Sequence, residues 1–131
     1  MLGIDTNVLV RFLVRDDEAQ FEKARKLIKR EVAAGRRVFV NHLVLMETEW
    51  VLRSRYTVPK SQIIEAVSGL LNATNVQFED EPVIEEALFT WKDSLADFAD
   101  CLIGAKNRRL GCRTTATFDA KAARLPGFVA A

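Results

Sequence analysis

Met1-Leu2-Gly3-Ile4-Asp5-Thr6-Asn7-Val8-Leu9-Val10 is the stretch whose reading decides the fold. Met1–Ile4 is short and apolar, ends at an acid, and is followed almost at once by a helical pattern, so it reads as a buried strand. From Asn7 to Val14, the residues Val8, Leu9, Phe12 and Leu13 form a stripe at helical spacing. A buried strand that runs directly into a helix opens a strand–helix–strand unit, the building block of a parallel sheet.

The rest of the chain repeats that alternation. Asp16-Asp17-Glu18 supplies a cap and first-turn acids for a helix to about Ala34, with Ala24, Leu27, Ile28 and Val32 expected inside and Gly35 closing it. Val38-Phe39-Val40 reads as a central strand, and Asn41 as the cap of a helix over Leu43–Arg55. Pro59 interrupts the pattern, and Lys60-Ser61 starts a helix with Ile63, Ile64, Val67, Leu70 and Leu71 inward. Val76–Phe78 is a further strand, Pro82 begins a helix to about Lys92, and Phe98–Leu110 is another helix, closed by Gly111. Thr114–Thr117 and Phe128-Val129 are strands on either side of a helical turn at Ala120–Arg124. The pattern predicts a single domain over residues 1–131. Its class is α/β: a three-layer α/β/α sandwich with a small, mainly parallel central sheet and a projecting helical hairpin.

Composition limits the functional classes. The 131 residues are 49% hydrophobic and 28% charged, which is ordinary for a folded domain and unlike a disordered or membrane chain. No apolar run approaches the roughly 18 residues of a membrane span, and the N-terminus shows no export signal. Cys101 and Cys112 lack metal-ligand spacing and are expected as free thiols in buried packing, which points to a reducing cytoplasm. The formal charge of +1 is not the strong positive balance of many nucleic-acid binders, but bound divalent cations would add charge that this count omits.

Ligand sites in parallel α/β sheets lie at the carboxyl ends of the strands. That filter selects four of 18 acids: Asp5 directly after the first strand, Glu47 early in the helix after Val38–Val40, Asp100 in the first turn of its helix, and Asp119 just beyond Thr117. Caps and helix dipoles also favour acids at such places, so each one alone fits a cap as well as a ligand. Four carboxylates in one cleft would repel one another, and a divalent cation offsets that repulsion. A set made of carboxylates suits Mg²⁺, with Mn²⁺ as a substitute, and the single histidine, His42, argues against zinc. Such an ion activates water and stabilises a leaving oxygen, which points to phosphodiester hydrolysis.

Four segments carry a family resemblance. Asp5-Thr6-Asn7-Val8-Leu9-Val10, Val44-Leu45-Met46-Glu47-Thr48-Glu49-Trp50-Val51-Leu52, Asp97-Phe98-Ala99-Asp100-Cys101-Leu102-Ile103-Gly104-Ala105, and Thr115-Ala116-Thr117-Phe118-Asp119 with Lys121-Ala122-Ala123 resemble, in order and spacing, the motifs of PIN-domain proteins. The length is similar to the VapC-type toxins of bacterial toxin–antitoxin modules. This resemblance implies a cytoplasmic Mg²⁺-dependent endoribonuclease with RNA as substrate and a cognate VapB-type antitoxin as partner. It also implies a homodimer and a toxin–antitoxin hetero-oligomer. The family's acids carry over to Asp5, Glu47, Asp100 and Asp119, as catalytic residues and metal ligands. Asp97 is a fifth acid or a supporting group. Glu49, about 200° around the helix from Glu47, is its rival; Glu47 is preferred because Met46-Glu47 fits the family pattern and Trp50 then falls beside the core.

Asn7 and Thr117 are expected to support Asp5 and Asp119 by hydrogen bonds, or else simply to cap and turn the chain. Arg11, Arg53 and Lys121 are candidates for holding RNA phosphates. Trp50, Trp91 and the eight phenylalanines read as core, and His42 as a capping or surface residue. A non-catalytic interaction or RNA-binding module on the same fold is the alternative reading.

Overall fold

The computed structural model describes all 131 residues, which fall into two units, residues 1–79 and 80–131. The α/β class and the parallel pairing are as the sequence predicts. The strands form two small sheets rather than one: three strands in the first unit and two in the second.

In the first unit, β1 (Leu2–Gly3), β2 (Val38–Val40) and β3 (Val76–Phe78) pair in parallel in that order. Leu2 lies opposite Val38, and Val38 opposite Val76. The strands are only two or three residues long, so helical crossovers supply most of the chain between them. Val38 and Val40, on one face of the central strand, are fully buried, while Phe39 on the other is half-buried. The bonding of β1 continues past Gly3, where the Ile4 N–H donates to the Phe39 carbonyl at 3.1 Å.

The helices α1 (Thr6–Leu13), α2 (Glu18–Ala33), α3 (His42–Ser54) and α4 (Lys60–Leu71) fill the crossovers. Their starts are written locally. Asp5, Asp17 and Asn41 each accept the backbone N–H three residues on, at 3.0, 3.0 and 2.8 Å. Gly35 ends α2 at φ +75°, a left-handed conformation that costs a glycine little. Leu9, Val10, Ala24, Ile28, Ile63, Val67 and Leu70 are buried from these helices. Val32, expected inside, is 41% exposed, because it sits in the last turn of α2.

The second unit contains α5 (Glu81–Lys92), α6 (Phe98–Arg109), β4 (Thr115–Thr117), a single 3-10 turn (Ala122–Arg124) and β5 (Phe128–Ala130). Val83, Ile84, Ala87, Leu88 and Trp91 bury one face of α5, and Phe98, Cys101, Leu102 and Ala105 one face of α6. The Trp91 and Phe98 rings lie 5.1 Å apart in a tilted arrangement. A Cβ at Gly104 would run into the Phe128 ring, so only glycine lets that ring of β5 pack this closely on α6. Strands β4 and β5 are parallel, with Thr115 opposite Phe128 and Thr117 opposite Ala130.

Both cysteines are free thiols, but only Cys101 is buried; Cys112 follows the end of α6 and is exposed. No helix is long and apolar enough to cross a membrane.

Candidate active site

Asp5 leaves β1 and caps α1 in one step. One of its carboxylate oxygens accepts the Val8 N–H, and the residue is exposed. The next residue, Thr6, is buried, and its hydroxyl donates to the Glu47 carboxylate on α3. The start of α1 therefore reaches the second motif through Thr6, a residue of the first motif whose part the sequence pattern does not reveal. The only signal was a hydroxyl at the first helical position beside an acid.

Glu47 is exposed, whereas Glu49 is 3% exposed and accepts from the Arg53 guanidinium at 2.8 Å. Two residues along a helix turn the side chain about 200°, so one acid faces out and the other in. Trp50 does not fall beside the core: it is 51% exposed. Asn7 is exposed and makes no hydrogen bond to Asp5; the backbone of Val8 occupies that role.

The second unit brings three acids into mutual influence. Asp97 stands at the N-cap position of α6, yet its carboxylate caps nothing. Asp100 is half-buried in the first turn of α6. Its carboxyl is held above the ordinary value, first by desolvation and then by the negative charges of Asp119 and Asp97. Asp119 is fixed from both sides. Its N–H donates to the Thr117 hydroxyl at 3.0 Å, while its carboxylate accepts the N–H groups of Lys121 and Ala122, each at 2.8 Å. Thr117 thus positions Asp119 through the backbone. Asp97, Asp119 and Lys121 line a pocket of about 210 Å³.

No three His, Cys, Asp or Glu side chains form a group able to hold a metal ion by themselves.

The three basic candidates differ. Arg11 pairs with Asp16 at 3.0 Å and donates to the Tyr56 hydroxyl at 3.1 Å, tying the α1–α2 connection to the segment after α3. Arg53 serves Glu49. Lys121 is exposed and makes no ion pair. His42 is not a surface residue. It is 4% exposed, with Nε2 2.8 Å from the Glu79 carbonyl and its N–H donating to the Glu79 carboxylate at 2.9 Å, which ties the start of α3 to the end of β3. The aromatic residues also depart from the core reading: Phe89 is 80% and Phe118 95% exposed.

Comparison with known proteins adds a family. The family model described as PIN domain matches residues 3–127. A curated relative from Aquifex aeolicus, named VapC ribonuclease, is 28% identical over 115 residues, covering 88% of this chain and 84% of that protein. The solved structure of the Mycobacterium tuberculosis toxin VapC20, titled a sarcin-ricin loop cleaving toxin, aligns over 94% of this chain and 93% of that one, with 21% identity and a TM-score of 0.44.

Proposed function

The chain belongs to the PIN-domain family, and from that premise we propose that it is a metal-dependent endoribonuclease, the toxin of a toxin–antitoxin pair. The observation that carries this reading is the state of the motif acids. Asp16, Glu18, Glu22, Glu31, Glu49, Asp80 and Glu86 each hold an arginine. Asp5, Glu47, Asp97, Asp100 and Asp119 hold none. They share that state with Asp17, Glu65, Glu81, Glu85 and Asp93, but Asp97, Asp100 and Asp119 also stand close enough for Asp100 to feel the other two charges, a repulsion that an ion from solution would relieve.

The donor set suits Mg²⁺ or Mn²⁺, since every candidate ligand is a carboxylate oxygen. Repulsion and desolvation at Asp100 are relieved by a cation, which favours the ionised form. An Mg²⁺ ion held by only one or two carboxylates would keep waters and could take a phosphate oxygen, the usual habit of that ion. Bound there, it would supply an activated water and stabilise the leaving oxygen. The chain's own part is to hold the carboxylates in place: Val8 fixes Asp5, Thr6 fixes Glu47, and Thr117 with the Lys121 and Ala122 amides fixes Asp119. Lys121, unpaired and beside Asp119, is the cation placed to meet a substrate phosphate.

The printed name of the Aquifex aeolicus relative supports RNA as the substrate and, through the toxin class, a VapB-type antitoxin as partner. Homodimerisation is supported by α3, where Leu43 and Trp50, two turns apart on one face, are 71% and 51% exposed.

The deciding experiment measures cleavage of a mixed-sequence RNA with Mg²⁺ or Mn²⁺ for the wild type, Asp5→Asn and Asp119→Asn. The expected result is metal-dependent cleavage that falls at least about 100-fold in each variant. Equal cleavage by all three would overturn the reading, and RNA binding without cleavage by the wild type would favour a non-catalytic module.

A further inference from the structure

Beside the acids of the second unit runs a groove of about 420 Å³, between the end of α5 and the segment that carries the 3-10 turn. Phe89 and Leu95 stand on one wall, 80% and 78% exposed. Lys121 and Arg124 stand on the other, and neither makes an ion pair. The contrast within this unit is informative, because Arg108 and Arg109 are neutralised by Glu86 and Asp80 at 3.0 Å each. Lys121 also lines the smaller pocket with Asp97 and Asp119, so the groove and the acids share this side chain.

We propose that this groove is the binding site for a single-stranded stretch of RNA next to the cleaved bond, with a base stacked on Phe89 and its phosphates held by Lys121 and Arg124. The proposal rests on the nuclease reading of the same acids. Three features carry it. An exposed phenylalanine offers a flat face to any unpaired base, with little regard to sequence. Two unpaired cations complement successive phosphates, and the volume suits a nucleotide. The one acid on the groove, Asp93, follows α5 rather than the basic segment, so the charges are divided between the two sides. Duplex RNA keeps its bases stacked and offers nothing to Phe89. A peptide could match the cations, but it meets the ring only at particular side chains.

The test uses a fluorescent single-stranded RNA octamer of mixed sequence, with chelator present so that it stays intact. Phe89→Ala should bind about tenfold more weakly than wild type. Arg124→Ala should weaken binding and lower the salt-dependence slope by about one. An octamer with abasic sites should lose affinity for the wild type but not lose more for Phe89→Ala. Both side chains are exposed, so neither substitution threatens the fold. Binding within twofold of wild type in both variants overturns the proposal. So does a glutamate-rich octapeptide that binds in a Phe89-dependent way while the RNA does not, which would make this a peptide site. Failure of the nuclease reading has a different signature: the wild type does not cleave, yet the octamer still binds through Phe89. If both readings hold, Phe89→Ala raises KM for RNA cleavage several-fold and leaves kcat nearly unchanged.

Discussion

Asp5 and Glu47 in the first unit and Asp100 in the second have opposite surroundings. In the first unit, Asp5 and Glu47 are each met by a donor, the Val8 N–H and the Thr6 hydroxyl, and they lie on the surface. In the second unit, Asp97 caps nothing, and Asp100 sits half-buried with the charges of Asp119 and Asp97 against it. The first pair is stabilised by the chain itself, as is Asp119 by the Lys121 and Ala122 amides, whereas Asp100 is left in electrostatic tension. A carboxylate given hydrogen-bond donors is settled without a cation; one that is desolvated and repelled gains most from a cation. Asp100 should therefore register metal more strongly than Asp5 or Glu47.

The largest effect that can break this contrast is on activity. Asp100→Asn should lower Mg²⁺-dependent RNA cleavage at least about 100-fold, whereas Thr6→Val, which removes only a donor to Glu47, should lower it about threefold to tenfold. Equal losses in single-turnover assays would mean that the two sets of acids carry the same burden.

Next comes stability inside α3. Arg53→Ala strands the buried Glu49 carboxylate and should cost about 2–3 kcal/mol in urea unfolding, below the range for fully buried pairs because Arg53 is half exposed. Glu47→Gln, at an exposed position two residues away, should cost less than about 1 kcal/mol. Reversal of that order would place the wrong glutamate inside.

Gly104→Ala tests the α6–β5 contact and should destabilise by about 1–3 kcal/mol, since the added methyl meets the Phe128 ring.

The smallest effect is the pH dependence of the metal-free protein. The Asp100 carboxyl is raised in the folded state, so its contribution is fully present below the unfolded value of about 3.9 and is lost as pH rises through the higher folded value. Asp16, held low mainly by the Tyr56 hydroxyl, works the other way, as do Glu22 and Glu31 beside Arg25 and Arg36. Their contribution is present above the unfolded value and is lost as pH falls through the lower folded one. Asp100→Asn removes the first trend only. Melting with chelator at pH 7 should show the variant melting above the wild type, and added Mn²⁺ should raise the melting temperature of the wild type more than that of the variant. A less stable variant would mean that Asp100 is not under repulsion.

Much of the architecture was legible because it is written in neighbouring residues. Asp17, Asn41 and Gly35 mark helix ends through bonds and backbone angles that span three or four positions. Val38-Phe39-Val40 could be read as a central strand because a short apolar run of β-branched and aromatic residues favours a strand, and Val38 and Val40 are indeed buried. The candidate acids could be picked out because strand ends and helix starts are themselves local features. What failed were judgements of facing. His42 stands at a helix start, where exposure is usual, yet the remote Glu79 draws it inside. Phe89 and Trp50 are large and apolar, which predicts burial on average, but their turns of helix face outward.

By itself, then, the sequence determined the order of strands and helices, the caps, the α/β class and the motifs that mark a PIN domain, since periodicity and capping act within a few residues. Only the tertiary structure decided which glutamate of α3 is exposed, which threonine holds it, which acids repel one another, and which cations are left free beside an exposed ring. Those properties depend on pairings across tens of residues, such as Thr6 with Glu47 or Arg109 with Asp80, and no spacing rule along the chain specifies them.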